Sequence, residues 1–219
     1  NSLEPSSLLE SRTQAGSIAA DISGNIWVTN SYTSNGWKVR NPQGEWTALG
    51  CPGVLGPTTL YGDMAITEQG QTWTILPRGN GIAMIEHNND LENTDDYRCK
   101  RFNTNPGDGA LPTNSVLSVA VDLDGEIWVG TAEGPVVNYS PTAVFGDNPV
   151  DFQSILVERD GNVERLLGSE SITAIAIDGA NRKWLGTLNG GVFLLSENGT
   201  EEILHFTAES CSDYVYNYG

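Results

Sequence analysis

The chain has 219 residues, enough for a large core, and its 28 acidic and 11 basic residues give a formal charge of −17. With no basic cluster to offset that charge, binding to nucleic acid or directly to anionic lipid is disfavoured. No apolar run reaches the roughly 18 residues of a membrane helix, and three cysteines without a Cys-x-x-Cys pair disfavour a zinc site.

Residues 1–15 are polar and weakly patterned, and read as an edge strand or lead-in. Asn1-Ser2-Leu3-Glu4 has no basic or apolar leader signature, so an export signal is expected to be removed or to lie outside this sequence. Beyond this the chain repeats. A first unit spans about 16–49, with Asp21-Ile22-Ser23-Gly24-Asn25-Ile26-Trp27 at its centre and a hairpin turn at Asn41–Gly44. Trp37 reads as core and Trp46 opens the outer strand. Cys51–Pro57 is a Gly/Pro-rich connector. A second unit spans about 60–102 around Thr67–Trp73, where Thr67 replaces the usual Asp and Thr74-Ile75 replaces a Val-Gly-Thr ending. Its acidic segment Asn88–Asp96 reads as a solvated loop in preference to a cation site.

A third unit starts at Thr113 and carries Asp122–Thr131. After Tyr139 it departs from the repeat: Ser140–Pro149 is an insertion, and Asp151–Leu167 reads as a β-hairpin turning at Asp160-Gly161, so the unit extends over 113–167. The fourth, 169–207, is the clearest. Four short apolar strands alternate there with turns at Asp178–Asn181, Asn189–Gly191 and Asn198-Gly199, as Asp, Asn and Gly favour. Residues 212–219 resemble the beginning of a further unit.

The tryptophans at 27, 73, 128 and 184 are 46, 55 and 56 residues apart. Four-stranded antiparallel units at such a period predict an all-β protein, a β-propeller of about four blades that is part of a larger one or closed by its terminal strand. Trp27, Trp73, Trp128 and Trp184 are expected at equivalent buried positions on second strands, packing between blades in preference to forming an aromatic cage. The window Asp122–Glu126 matches only the start of a calcium loop and reads as a hairpin turn. His87 and His205 have no histidine nearby in sequence, and there is no nucleophile elbow, phosphate loop or His-Glu-x-x-His. No catalytic, metal or cofactor site is therefore expected. In the inserted hairpin Phe152, Ile155, Leu156 and Val157 require burial; where the blade leaves them uncovered they would form a partner-facing patch. At most one disulfide is possible among Cys51, Cys99 and Cys211, and the pairing is left open.

The motif Asp122-Leu-Asp-Gly-Glu-Ile-Trp-Val-Gly-Thr131 resembles the two-component-regulator propeller repeat found in periplasmic sensor regions of Bacteroidetes. Val157–Val163, Ile172–Thr187, Gly191–Ser196 and His205–Thr207 together resemble the PorZ-like propellers of the type IX (Por) secretion system. The first resemblance covers 16–207 and the second about 151–207. They imply an exported protein at the periplasm or outer-membrane surface. Members of the second family carry two propellers and a small C-terminal β domain. Their implied partners are other secretion-machinery proteins, including a sortase-like protease, and surface polysaccharide. Three functions are carried forward: a non-enzymatic scaffold of that machinery, a ligand-sensing propeller of a hybrid two-component sensor, and an enzyme on a propeller scaffold.

Overall fold

A computed structural model describes residues 3, 13–93, 96–146, 150–159 and 161–208. The chain runs through four antiparallel sheets in succession, each a four-stranded meander. The first holds β1 (Gln14–Ala20), β2 (Ile26–Ser31), β3 (Trp37–Arg40) and β4 (Trp46–Leu49). The second holds β5 (Met64–Ile66), β6 (Gln71–Ile75), β7 (Ile82–Glu86) and β8 (Arg98–Phe102). In the third, β9 (Val116–Val121), β10 (Ile127–Thr131) and β11 (Gly134–Asn138) are joined by β12 (Gln153–Ser154). A two-stranded hairpin, β13 (Leu156–Arg159) with β14 (Asn162–Arg165), follows as a separate sheet. The fourth sheet holds β15 (Ile172–Ile177), β16 (Lys183–Thr187), β17 (Val192–Leu195) and β18 (Glu202–Phe206). The inner strands β1, β5, β9 and β15 lie side by side in chain order, as in a β-propeller.

The local cause of each blade is one carboxylate. Asp21 Oδ1 accepts the backbone N–H groups of Ser23 and Asn25, both at 2.9 Å, and Oδ2 accepts the indole N–H of Trp27 at 2.9 Å. Asp122 does the same for Asp124, Glu126 and Trp128, at 3.0, 2.9 and 3.2 Å. Asp178 repeats it for Ala180, Arg182 and Trp184, at 2.9, 3.0 and 3.2 Å. Each turn needs a left-handed residue, supplied by Gly24, Gly70 and Gly125 in the first three blades and by Asn181 in the fourth. In blade two, Thr67 Oγ1 accepts the Gln71 N–H at 3.1 Å, and Gln71 Oε1 accepts the Trp73 indole N–H at 3.2 Å. Two neutral residues there do the work of one aspartate.

Trp27, Trp73 and Trp128 each face the following blade, so the core lies between blades. Trp27 packs in one cluster with Ala83 and Ile85, and Trp73 in a second with Ile127, Val129 and Phe152. Trp128 packs in a third with Leu185, Phe193 and Leu195. Gly130 lets the next inner strand close in, because a Cβ there would collide with Ser118 Oγ and the Ile172 carbonyl. A disulfide joins Cys51, in the connector after blade one, to Cys99 on the outer strand of blade two.

Three expectations need correction. Trp184 is not buried like the others: Trp27, Trp73 and Trp128 are fully buried, whereas Trp184 is half-buried and stacked on Phe206 of its own blade. Residues 151–167 are not one hairpin, since Gln153–Ser154 is the outer strand of blade three and only Leu156–Arg165 form the hairpin. Nor do the four hairpin side chains form a patch, because Phe152 and Ile155 are buried in the blade core and Val157 packs against it. The insertion begins with a short 3-10 turn, Pro141–Ala143. Residues 212–219, read as a further unit, lie outside the described residues, as does Cys211.

Urea denaturation should separate the tryptophans. Trp128→Ala is expected to cost about 3–5 kcal/mol as a fully buried aromatic, and Trp184→Ala about 1–3 kcal/mol. Equal losses would contradict the burial difference. Replacing both Cys51 and Cys99 with alanine should cost about 2–4 kcal/mol by releasing the closed loop in the unfolded chain. An unchanged melting midpoint would show that the bridge contributes nothing.

Candidate functional site

Up-down strand order places the first and third turn of every blade on one side of the molecule. Two clefts open on that side between successive blades. One, about 410 Å³, lies between blades three and four and is lined by Asp124, Glu126, Tyr139, Glu197, Asn198 and Glu201. The other, about 380 Å³, lies between blades one and two and includes Asn25, Asn41, Glu45, Asp90 and Glu92. Both are rich in carboxylates.

A buried ion pair adjoins the first cleft. Lys183 Nζ is 3.0 Å from Asp122 Oδ2, with side-chain exposures of 1% and 0%. The ammonium also donates to the Asn181 carbonyl at 2.8 Å and to the Glu197 carbonyl, and sits 5.0 Å from the Trp128 ring. Asn181 joins the two blades directly. Its Oδ1 accepts the Leu123 N–H at 3.0 Å and its Nδ2 donates to Asp124 Oδ2 at 2.8 Å. Burial, the Asp122 charge and a hydrogen bond to that carboxyl push Glu126 up to about 7. Burial and the nearby Glu126 and Asp122 also raise the Tyr139 phenol.

Between blades one and two the corresponding space is filled by His87. Its ring lies 4.5 Å from that of Trp27, Nε2 is 3.3 Å from Thr72 Oγ1, and Nδ1 has no hydrogen-bond partner. Burial lowers its pKa to about 4, against the opposing pull of Asp21 and Glu86. His205 is exposed, stacked on Phe193 with Nε2 2.6 Å from the Gly190 carbonyl. Among the described residues, no group of three or more His, Cys, Asp or Glu is placed to hold a metal ion. The Asp122 carboxylate is engaged by two backbone N–H groups, an indole and an ammonium. In the acidic loop, Asp90 Oδ1 accepts the N–H groups of Glu92 and Asn93.

Sequence reasoning named the four tryptophans and the hairpin residues but missed Lys183, Glu126 and Tyr139. A signal was available: Lys183 occupies the position before Trp where the other blades carry Ile26, Thr72 and Ile127. Of the hairpin residues named, only Leu156 lies on the surface, at 60% exposure, with Val163 beside it at 70%.

The sheets and interblade core define a β-propeller region of four blades. No protein-family model matches the chain, and no curated protein matches it. Among solved structures it is similar to PorZ of Porphyromonas gingivalis, described as an essential bacterial surface component of the type-IX secretion system. The TM-score is 0.77 and the identity 25%, over 90% of this chain and 27% of that one. Virginiamycin B lyase from Staphylococcus aureus is similar at a TM-score of 0.57 and 16% identity, over 96% of this chain and 60% of that one. An extracellular domain described as that of a hybrid two-component system from B. thetaiotaomicron is similar at 0.52 and 16%, over 94% of this chain and 30% of that one. The last two likenesses are of fold alone. Both resemblances read from the repeat are thus met among solved propellers, and this chain spans about a quarter of the PorZ structure.

His87 and Glu126 give opposite pH dependences. His87 is depressed in the folded state, so its stabilising contribution is present above pH 6.5 and lost as pH falls towards 4. Its loss amounts to about 2–4 kcal/mol, and His87→Gln should flatten that limb. Glu126 is raised, so its contribution is present below pH 4.5 and lost as pH rises through about 7. Glu126→Gln should therefore gain on the wild type as pH rises over that window. Thermal melts from pH 4 to 8 test both, and parallel curves for all three proteins would refute the assignments.

Proposed function

We propose that this chain is part of a non-enzymatic, exported propeller that serves as an interaction module in a type IX secretion and surface-attachment machinery. The observation that carries this reading is the similarity to PorZ, which extends over 90% of the chain at 25% identity. The Cys51–Cys99 disulfide supports an oxidising compartment and therefore export to the periplasm or cell surface. The partners on this reading are other proteins of the machinery, including a sortase-like protease, and surface polysaccharide. The strongly acidic surface favours partners that present basic groups. On the hairpin, Leu156 and Val163 are the apolar residues offered to a partner, while Phe152 and Ile155 serve the core.

The test uses the full-length protein in its native cells. Tagged protein should co-purify with the sortase-like protease after cross-linking. Leu156→Asp with Val163→Asp should reduce that recovery several-fold, with the blade fold retained by circular dichroism. Loss of the gene should prevent surface attachment of exported cargo. Normal cargo attachment in the null strain would overturn the reading, and a downstream membrane helix with a kinase domain would replace it with the sensor.

A further inference from the structure

Lys183 and Asp122 are the one lysine–carboxylate ion pair found buried on both sides among the described residues. Their surroundings are organised like a condensation site. Nζ stands 3.0 Å from Oδ2. The other oxygen, Oδ1, accepts two backbone N–H groups, from Asp124 at 3.0 Å and Glu126 at 2.9 Å. Glu126, whose own N–H holds Oδ1, also lines the cleft that adjoins the pair. Trp128, Leu185 and Leu195, all fully buried, exclude water around the pair. No other blade combines these parts. Asp21 has the neutral His87 nearby, blade two carries Thr67, and Asp178 pairs with Arg182, whose side chain is 42% exposed.

We propose that Lys183 and Asp122 form an intramolecular isopeptide bond that ties blade four covalently to blade three, with Glu126 as the proton shuttle. In the dry site one ammonium proton passes to Oδ2, leaving an amine and a carboxylic acid. Nζ then attacks Cγ, and the charge that develops on Oδ1 is held by the N–H groups of Asp124 and Glu126, the geometry of an oxyanion hole. Glu126 gives a proton to Oδ2 and recovers one from the nitrogen. The Cγ–Oδ2 bond breaks and water leaves. One ammonium and one carboxylate become one secondary amide and one water, so no oxidant or cofactor is consumed. Two effects favour the step. Nζ is held in direct contact with the carboxylate it would attack. The product also removes both charges from a site where each carries a desolvation cost.

Intact-mass spectrometry of reduced, denatured protein is the test. Wild type should weigh one water less than its sequence. Its protease digest should contain a branched peptide joining the Asp122 and Lys183 segments, and its band should migrate ahead of the uncross-linked form on a denaturing gel. Lys183→Arg and Glu126→Gln should both show the full mass. Should Lys183→Arg fail to fold, Glu126→Gln carries the comparison, since its side chain lines the cleft and its circular dichroism reports folding directly. Full mass in folded wild type overturns the proposal and leaves the pair ionic. A lost water that persists in Lys183→Arg overturns it too, because succinimide formation at an Asp-Gly step such as Asp124-Gly125 sheds the same mass. A branched peptide in Glu126→Gln refutes the shuttle assignment.

Discussion

The hydrogen bond from an indole N–H to the carboxylate of the preceding turn is the constraint on which the blades depend. Burying a large ring against the next blade is favourable only if its single polar atom stays satisfied, since an unpaired buried donor costs about 1–3 kcal/mol. The turn aspartate meets that need while it closes the turn. One side chain thereby fixes both the local bend and the position of the surface that the next blade covers. Blade two shows that the constraint concerns the bond and not the residue type. Thr67 closes the turn, Gln71 receives the Trp73 indole, and Trp73 remains fully buried.

Beyond that shared bond, each interface is completed differently. His87 lies against Trp27, Phe102 and Phe152 meet Trp73, and Lys183 lies over Trp128. The rings at Trp73 carry no titratable group, a neutral histidine tolerates acid poorly, and an ammonium requires its carboxylate. Lys38 is fully buried as well. Two buried carboxylates, Glu86 and Asp122, balance the two buried lysines among the described residues, so the acidic excess of the composition is carried by the surface.

The parts of the fold legible in the sequence are those governed by local chemistry. Asp-x-x-Gly turns and alternating strands act over a few residues, so the tryptophan spacing revealed the blades. The outer strand of blade three did not show, because Gln153–Ser154 is only two residues long and lies between core side chains that carry a hairpin's pattern. Trp184 looks identical to Trp128 in sequence, and its exposure depends on what packs over it. The Cys51–Cys99 pairing and the Lys183–Asp122 contact join residues in separate segments, which no local pattern records. The lysine's unusual position was visible, but its partner was not.

The carboxylates that line the clefts collect on the side where the aspartate turns lie. The opposite side carries the segments that join successive blades: 50–63, 103–115, and the stretch between blades three and four that holds the β13–β14 hairpin. On the aspartate side stand the loop after His87, the insertion after Tyr139 and both acidic clefts. Asp90, Glu92, Asp124, Glu126, Glu197 and Glu201 all belong to that side. Loops on a rigid scaffold can vary without disturbing the core, so the acidic loops here and the apolar hairpin on the opposite side can differ independently of the blades. Any group approaching there meets a concentration of carboxylates. That charge attracts basic groups and repels phosphates and acidic polymers.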